Sequence, residues 1–338
     1  LSGIQIAGVD SLGNQVLGNF IGLDVDGRSP IANASDGVFI NNAPLTVIGQ
    51  AVAGSRNIIS ANSGNGVRVF GLESAGTSIT NNIIGLDVDG RSIFSANGQN
   101  SLGNLATGVQ LTSTRSVTVG DNRDAPPTLF SDFRNIISNN GQSGVVVDSS
   151  ELIRVVNNFI GTDIEGLRDF GNAANGVNVN SSVNQIEIGM PNRGNVISGN
   201  NQSGVLLSAS SHVVILSNLI GTDRLGSIDL GNGANGVYLI GSSNNVIGQA
   251  GKGNVISGNE QSGVQIFSPS VSALASNNSV QGNTIGLGLN RVTPIGNTGD
   301  GVLLLYASNN QVGGDHTRGE GNFISANLGN GVQALGTP

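Results

Sequence analysis

The chain has 338 residues, with 53 Gly, 8 Pro and no Cys, and its formal net charge at pH 7 is −8. Glycine without a three-residue period excludes collagen, plentiful Val, Ile and Leu exclude a disordered chain, and the absence of Cys excludes disulfides and thiolate chemistry. With one Lys, no basic cluster and no apolar run of 18 residues, we expect neither nucleic-acid binding nor membrane insertion.

A phrase such as Asn195-Val196-Ile197-Ser198 returns ten times, and Ile always stands two places after its Asn. The Asn residues are Asn19, Asn57, Asn82, Asn135, Asn158, Asn195, Asn218, Asn254, Asn283 and Asn322, and the Ile residues are Ile21, Ile59, Ile84, Ile137, Ile160, Ile197, Ile220, Ile256, Ile285 and Ile324. A repeat of this spacing predicts units that bury their apolar sides by stacking on one another. We therefore expect one elongated domain over residues 1–338.

Two further short phrases lie between successive Asn phrases. The first is Gly-Val-x-(Val/Ile/Leu), as in Gly176-Val177-Asn178-Val179, and the second is a run such as Val246-Ile247-Gly248. Alternation of apolar and variable residues is typical of a strand with one buried face. The pattern predicts three short strands in each circuit.

The circuits alternate in length. Asn135 and Asn158 are 23 residues apart, whereas Asn158 and Asn195 are 37 apart. The longer circuits carry an inserted turn, for example Thr222 to Asn232. Together these features predict an all-β, right-handed, single-stranded parallel β-helix of about ten coils with alternating short and long coils.

Equivalent residues of stacked coils lie about 4.8 Å apart and form columns. The Ile residues are predicted to form an internal column and the Asn residues a ladder of amide hydrogen bonds. A further column is predicted five residues on. It consists of Asn62, Asn140, Asn200, Asn259 and Asn327 in the short coils and of Asp24, Asp87, Asp163 and Asp223 in the long coils.

One stretch breaks the rhythm, because Asn82 and Asn135 are 53 residues apart. We assign an irregular insertion to about 91–134, and we consider both a drifted surface loop and a functional loop. Its candidate ligand-binding residues are Asp121, Arg123, Asp124, Asp132 and Arg134. The chain also opens and closes within a coil, so we expect either a longer natural chain or a stacked second subunit.

The phrases at 218–223, 231–237, 243–248 and 253–259 resemble those of bacterial secreted right-handed parallel β-helix repeat proteins of the surface or adhesin-like type. The resemblance covers essentially the whole chain. It implies the fold and is nearly silent on activity, because by the same resemblance this architecture hosts pectate lyases, polygalacturonases, alginate lyases and epimerases, phage tailspikes and passive adhesins.

Catalytic groups are scarce. No adjacent pair of Asp residues is present for glycoside hydrolysis, and a lyase or epimerase needs a base and a cation beside the substrate carboxylate. His212 is interpreted as a surface imidazole. His316 shares a loop with Asp315 and Arg318 and is the best single candidate, but no residue is assigned a catalytic role.

Asp24, Asp26, Asp87 and Asp89 stand in Asp-x-Asp-Gly runs like the start of a calcium loop. Asp and Gly are also the residues that tight turns prefer, and no bidentate Glu follows. We therefore predict no metal or other cofactor and keep these four residues as weak Ca²⁺ candidates.

Two more columns have alternative interpretations. Arg56, Arg134, Arg193, Lys252 and Arg318 precede Asn phrases and would either bind a polyanion or pair with nearby acids. The apolar residues that follow each Asn would either form a lateral contact face or be covered by the long-coil insertions. They are Phe20, Ile58, Ile83, Ile136, Phe159, Val196, Leu219, Val255, Thr284 and Phe323.

The sequence favours a non-enzymatic, extracellular or cell-surface structural or adhesive module that self-associates end to end or laterally. The reasons are the missing catalytic groups and the paucity of Trp and Tyr for sugar stacking. The alternative is a polysaccharide-active protein, that is, a lyase, an epimerase or a tailspike-like hydrolase, with its site near the insertion.

Overall fold

A computed structural model describes residues 1–121, 133–182 and 184–336. Three parallel sheets run along the molecule, and each coil contributes one strand to every sheet. Because a crossover between parallel strands is right-handed, the chain is a right-handed parallel β-helix. The predicted fold class is confirmed, including the alternation of short and long coils.

Sheet A contains the strands Ile4–Ala7, Val38–Asn41, Val67–Phe70, Val109–Thr112, Val145–Asp148, Val177–Asn180, Val205–Ser208, Val237–Ile240, Val264–Phe267, Val302–Leu305 and Val332–Leu335. Sheet B contains Gln15–Val16, Val47–Ile48, Ser78–Ile79, Thr118–Val119, Glu151–Val155, Asn184–Ile188, Val213–Ile215, Val246–Ile247, Ser279–Val280 and Gln311–Val312. Sheet C contains Phe20–Ile21, Asn57–Ile59, Asn82–Ile84, Ile136–Ile137, Phe159–Ile160, Val196–Ile197, Leu219–Ile220, Val255–Ile256, Thr284–Ile285 and Phe323–Ile324. We number the coils 1 to 10 by these strands.

Two short 3₁₀ turns, Leu72–Ser74 and His316–Arg318, interrupt the coils. Within the described ranges, no helix has the length and apolarity that crossing a membrane requires.

The interior of the β-helix is apolar. Along sheet C, the side chains of the Ile column point inward and are fully buried from Ile59 to Ile285. They pack against the glycine that opens each sheet A strand: a β-carbon at Gly204 would lie 2.6 Å from Cγ2 of Ile220. The Gly-Val phrase therefore keeps one corner of each coil free for an Ile side chain.

The Asn phrase forms a continuous amide ladder. From Asn19 to Asn322, each Nδ2 donates a hydrogen bond of 2.8–3.1 Å to Oδ1 of the next Asn. The same nitrogen bonds a main-chain carbonyl, as Asn195 does with Val155 at 2.8 Å. Buried amides are satisfied in this way at every coil.

The second polar column differs from the prediction. Its long-coil members are Asn33, Asn104, Asn172, Asn232 and Asn297, which alternate with the short-coil Asn residues. The inserted turn delays the column by about ten residues, so counting five residues from the Asn phrase reaches the turn instead. Asp24, Asp87, Asp163 and Asp223 begin those turns.

Each inserted turn is a hairpin that follows an odd-numbered coil, closed by antiparallel bridges such as Thr162–Asp169 and Thr222–Asp229. A hairpin bonds the hairpin two coils away: Val88 N donates to Gly27 O at 3.0 Å, and Leu289 N donates to Gly226 O at 2.8 Å. The hairpins thus form a second wall alongside sheet C.

A second apolar core lies beneath this wall. It contains the residues that follow the Asn phrase, from Ile58 to Val255, together with Leu86 and Leu102. Only toward the ends does the column emerge, with Phe20 44% and Phe323 47% exposed. The hairpins therefore cover this column, as the second of the two interpretations holds.

The predicted insertion at about 91–134 includes one regular coil. An extended hairpin is closed by the Phe94–Ser101 bridge, and the strands Val109–Thr112 and Thr118–Val119 then keep the register of their neighbours. Part of the remainder lies outside the described residues.

Candidate functional site

The calcium candidates lie in the first two hairpins. Oδ1 of Asp87 accepts hydrogen bonds from the main-chain N–H groups of Arg91 (2.8 Å) and Ser92 (3.0 Å), and Asp24 closes its own hairpin in the same way. The Arg28 guanidinium lies between Asp87 and Asp89. Among the residues that the structure describes, no group of three or more acidic or His side chains is arranged to hold a metal. These oxygens close turns and bind Arg28.

The insertion candidates are only partly visible. Asp121 is buried and lines a small cavity of about 250 Å³ with Val52 and Thr80. Arg134 does not line that cavity, and its guanidinium lies 4.4 Å from the ring centre of Phe159. Arg123, Asp124 and Asp132 lie outside the described residues. A ligand site formed by the five residues stays a prediction.

The loops that lead from sheet B to sheet C alternate in length, and this alternation forms clefts. Even-numbered coils have long loops, and odd-numbered coils turn tightly. In coil 9 the tight turn at Gly282 lies between residues 249–253 of coil 8 and residues 313–321 of coil 10. The result is an open groove of about 550 Å³, which we call the coil-9 groove.

Three elements supply the side chains of the coil-9 groove. His316 comes from the coil 10 loop, Leu289 and Arg291 come from the hairpin, and Thr284 and Phe323 come from sheet C.

His316 stands on a well-anchored turn. Asp315 caps this 3₁₀ turn by accepting hydrogen bonds from Thr317 N (2.9 Å) and Thr317 Oγ1 (2.6 Å), and its own N–H donates to Glu320. The Thr317 hydroxyl and N–H hold the pKa of Asp315 below its ordinary value. Gly319, with φ +77°, ends the turn. A capped turn of this kind positions an imidazole at the rim of the groove.

Arg291 adopts a backbone conformation that is unfavourable for its residue type. Its φ is +59°, and the equivalent residues of the other hairpins are Gly27, Gly90, Gly166 and Gly226, with φ of +61° to +66°. A non-glycine residue in the left-handed region costs about 1 kcal/mol. Such strain is concentrated at functional sites.

The Arg291 side chain is also held in place. Its guanidinium lies 4.2 Å from the ring centre of Phe323, and its Nε donates to Thr284 Oγ1 at 3.3 Å. The terminal nitrogens of the guanidinium are thereby directed along an exposed aromatic ring in the groove.

The charge of the groove is predominantly positive. Lys252 is exposed between the two lining residues Gly251 and Gly253, while Arg318 lies 3.6 Å from Asp315. No Asp or Glu lines the groove in the part of the chain that the structure describes. An anionic ligand would therefore meet Arg291 and Lys252 without a facing carboxylate.

The basic column follows the even-numbered loops, and its members have local partners. Arg56 donates to Asn81 Oδ1 at 2.9 Å, Arg134 stacks on Phe159, and Arg318 lies beside Asp315. His212 lies beside Ser211 and does not line the coil-9 groove.

Two acids, Asp169 and Asp229, occupy equivalent positions at the ends of successive long hairpins. Each lies over a glycine of the next short coil, Gly199 or Gly258, where a β-carbon would collide with its Oδ1. Burial raises the pKa of both carboxyl groups, and each accepts one hydrogen bond, from Gly171 N or Gly231 N. These carboxylates are less stable in the folded chain than in water.

We expect Asp229→Asn to stabilise the protein at pH 7 by less than about 1 kcal/mol, since solvent screens this partly exposed group. The raised pKa means that the folded state binds more protons than the unfolded state just above pH 3.8, so wild-type stability rises as pH falls toward about 4 and the advantage of the variant disappears. Urea midpoints at both pH values measure this.

Asp24→Asn is the control of opposite sign. The Arg28 N–H lowers the pKa of Asp24, so this variant should lose stability at pH 7 relative to pH 4. Equal pH profiles for the two variants would contradict the assignment.

Arg291 is the residue that sequence reasoning missed. The available signal was the alignment of the five hairpins, in which four share Gly at one position and the fifth has Arg. That Phe323, Thr284 and His316 lie around it required the structure.

No protein-family model and no curated protein matches the chain. Solved β-helix structures do resemble it. The A-module of mannuronan C-5 epimerase AlgE4 from Azotobacter vinelandii is 16% identical, with 95% of this chain and 90% of that chain covered and a TM-score of 0.40. The periplasmic alginate epimerase AlgG is 13% identical, with 90% and 61% covered and a TM-score of 0.38.

The enzymatically active domain of tailspike protein 2 from bacteriophage CBA120 is also 13% identical, with 97% of this chain and 40% of that chain covered and a TM-score of 0.39. The chain thus spans about three fifths of AlgG and two fifths of the tailspike domain.

This finding corrects the functional interpretation made from the sequence. The chain was expected to be a non-enzymatic structural or adhesive module, but the proteins with the same fold are two epimerases and an enzymatically active domain. At such low identity the likeness concerns the fold alone, so the function is argued below from the coil-9 groove.

Proposed function

We propose that this chain is a polysaccharide-active β-helix protein that binds a carboxylated sugar polymer in the coil-9 groove and acts on it as a lyase or an epimerase. The observation that supports this most is Arg291, held in a strained conformation on the groove that His316 also lines. A polymeric substrate of this kind places the protein outside the cytoplasm, in the periplasm, at the cell surface or in the medium.

The residues suit removal of a proton from the carbon that carries a carboxylate. Neutral His316 accepts the proton as the general base. The electron pair moves toward the carboxylate, whose added negative charge the Arg291 guanidinium offsets. The pair then either expels the glycosidic oxygen from the neighbouring carbon, which cleaves the chain, or takes up a proton on the opposite face, which inverts the centre.

Hydrolysis is the less suitable reaction. A glycoside hydrolase places two carboxyl groups about 5–9 Å apart around the scissile bond. The described lining of the groove offers none. The tailspike-like hydrolase is therefore the weakest of the three predicted alternatives.

The test is incubation of the purified chain with alginate, with pectate and with neutral dextran. Ultraviolet absorbance detects the unsaturated ends that a lyase produces, and proton NMR detects an inverted centre. We expect turnover of at least one carboxylated polymer and none of dextran. Neither binding nor turnover of any carboxylated polymer would overturn the proposal.

Arg291→Gly separates binding from folding, because it restores the residue that the other four hairpins have. We expect folding stability to change by less than about 1 kcal/mol, as relief of strain and added chain entropy nearly cancel. Affinity for the carboxylated polymer should fall about 10- to 100-fold, the value of a hydrogen bond to a charged group. Calorimetric titration and thermal melting measure both quantities.

Arg68→Gln is the matched control. Arg68 lies on sheet A between Phe39 and Phe70, so its loss changes net charge equally and should leave affinity unchanged. Equal loss of affinity in both variants would indicate a non-specific charge effect.

A further inference from the structure

A second concave site lies on the outer face of sheet B, at coils 4 to 6. It has a volume of about 260 Å³ and is lined by Ser116, Thr118, Leu152, Arg154, Gln185 and Glu187. The strands that pass through it, Glu151–Val155 and Asn184–Ile188, have five residues each. Its centre is about four coils, or roughly 19 Å along the axis, from the coil-9 groove.

The site is electrically balanced and incompletely bonded. Arg154 Nε donates to Glu187 Oε2 at 2.7 Å. Among the described residues, the terminal nitrogens of Arg154 and the second carboxylate oxygen of Glu187 have no hydrogen-bond partner. Both side chains are partly exposed, at 49% and 36%. The pair thus presents donors and acceptors together.

The remaining lining is suited to a small polar molecule with one apolar side. Ser116 and Thr118 add hydroxyl groups and Gln185 adds an amide, all able to donate and accept. Leu152 supplies an apolar surface and is 40% exposed.

Leu152 also has φ +56°, in the arch that precedes the sheet B strand. The neighbouring arches place Ser116, Gln185 and His212 at this position. Leucine has no side-chain group that favours the left-handed region, as Asn has. Its retention at the wall of a cavity is a strained feature of the kind that accompanies ligand sites.

From these observations we propose that the sheet B cavity binds a single neutral sugar residue. Glu187 disfavours an anion and Arg154 disfavours a cation, while a ring bearing hydroxyl groups matches both. The volume is below the range of about 300–1,000 Å³ typical of larger ligands, which suits one sugar ring. The cavity is a binding site separate from the coil-9 groove and does not depend on the function proposed for that groove.

The experiment is saturation-transfer difference NMR of the whole chain with the methyl glycosides of glucose, galactose, mannose and glucuronic acid. At least one neutral glycoside should receive saturation. The double variant Arg154→Gln/Glu187→Gln keeps the two side-chain lengths and removes both charges, and we expect it to weaken that binding at least tenfold. Leu152→Asn, which favours the left-handed backbone, reports on the apolar wall and should also weaken binding while raising the melting temperature.

Arg291→Gly is the control that distinguishes the two sites, since it should leave binding of the neutral glycoside intact. Absence of binding by every neutral glycoside would overturn the proposal. So would equal binding by the double variant, or binding of the glucuronide alone. None of these results depends on whether the coil-9 groove turns over a polymer.

Discussion

His316→Gln is expected to reduce kcat on a carboxylated polysaccharide by about 10²- to 10⁴-fold, the usual contribution of a general base. Gln fills similar space and cannot accept the proton at neutral pH. Asp315, Thr317 and Glu320 anchor the turn without using the imidazole, so the melting temperature should not change. Initial rates by ultraviolet absorbance or NMR measure the effect.

His212→Gln provides the matched control, because the other His lies on an arch beside Ser211. Its rate should equal that of the wild type. Retention of full activity by His316→Gln would exclude the imidazole as the base and leave Arg291 as a binding residue only.

Asn195→Leu is expected to destabilise the middle of the β-helix by about 4 kcal/mol or more. Asn195 donates to Val155 O (2.8 Å) and to Asn218 Oδ1 (2.9 Å), and it accepts from both the N–H and the side chain of Asn158. Leu fills the space but leaves these buried groups unpaired, at about 1–3 kcal/mol each. Urea unfolding followed by circular dichroism measures the loss.

Asn19→Leu is the comparison within the same ladder. Asn19 is only partly buried, and it donates to Asn57 while no lower Asn donates to it among the described residues. We expect less than half the effect of Asn195→Leu. Equal destabilisation would show that the ladder stabilises each coil independently of burial.

The repeat made the fold predictable. Asn and Ile two places apart, with Gly-Val between, fixed the number of strands in each coil and their order. Columns could be assigned wherever the spacing between coils was constant. The second Asn column was assigned wrongly in the long coils because the inserted turn shifts its phase, and one sequence does not show whether Asp24 or Asn33 stacks on Asn62.

The candidate site was much less predictable. His316 could be singled out by its rarity, but Arg291 is 25 residues away in sequence and comes from a different structural element. Their proximity depends on a tight turn in coil 9 between two longer loops. The sequence shows loop lengths but not the cleft that they enclose, so the positive charge of the groove was not recognised.

The hairpin wall limits how this molecule can change in length. Each hairpin bonds the one two coils away, so removing a single coil would bring two long coils together and force their hairpins into half the space. Adding or removing two adjacent coils, such as the 60 residues from Asn158 to Asn218, preserves every hairpin contact and both amide ladders. Gene duplication and protein engineering would therefore lengthen or shorten this rod in pairs of coils.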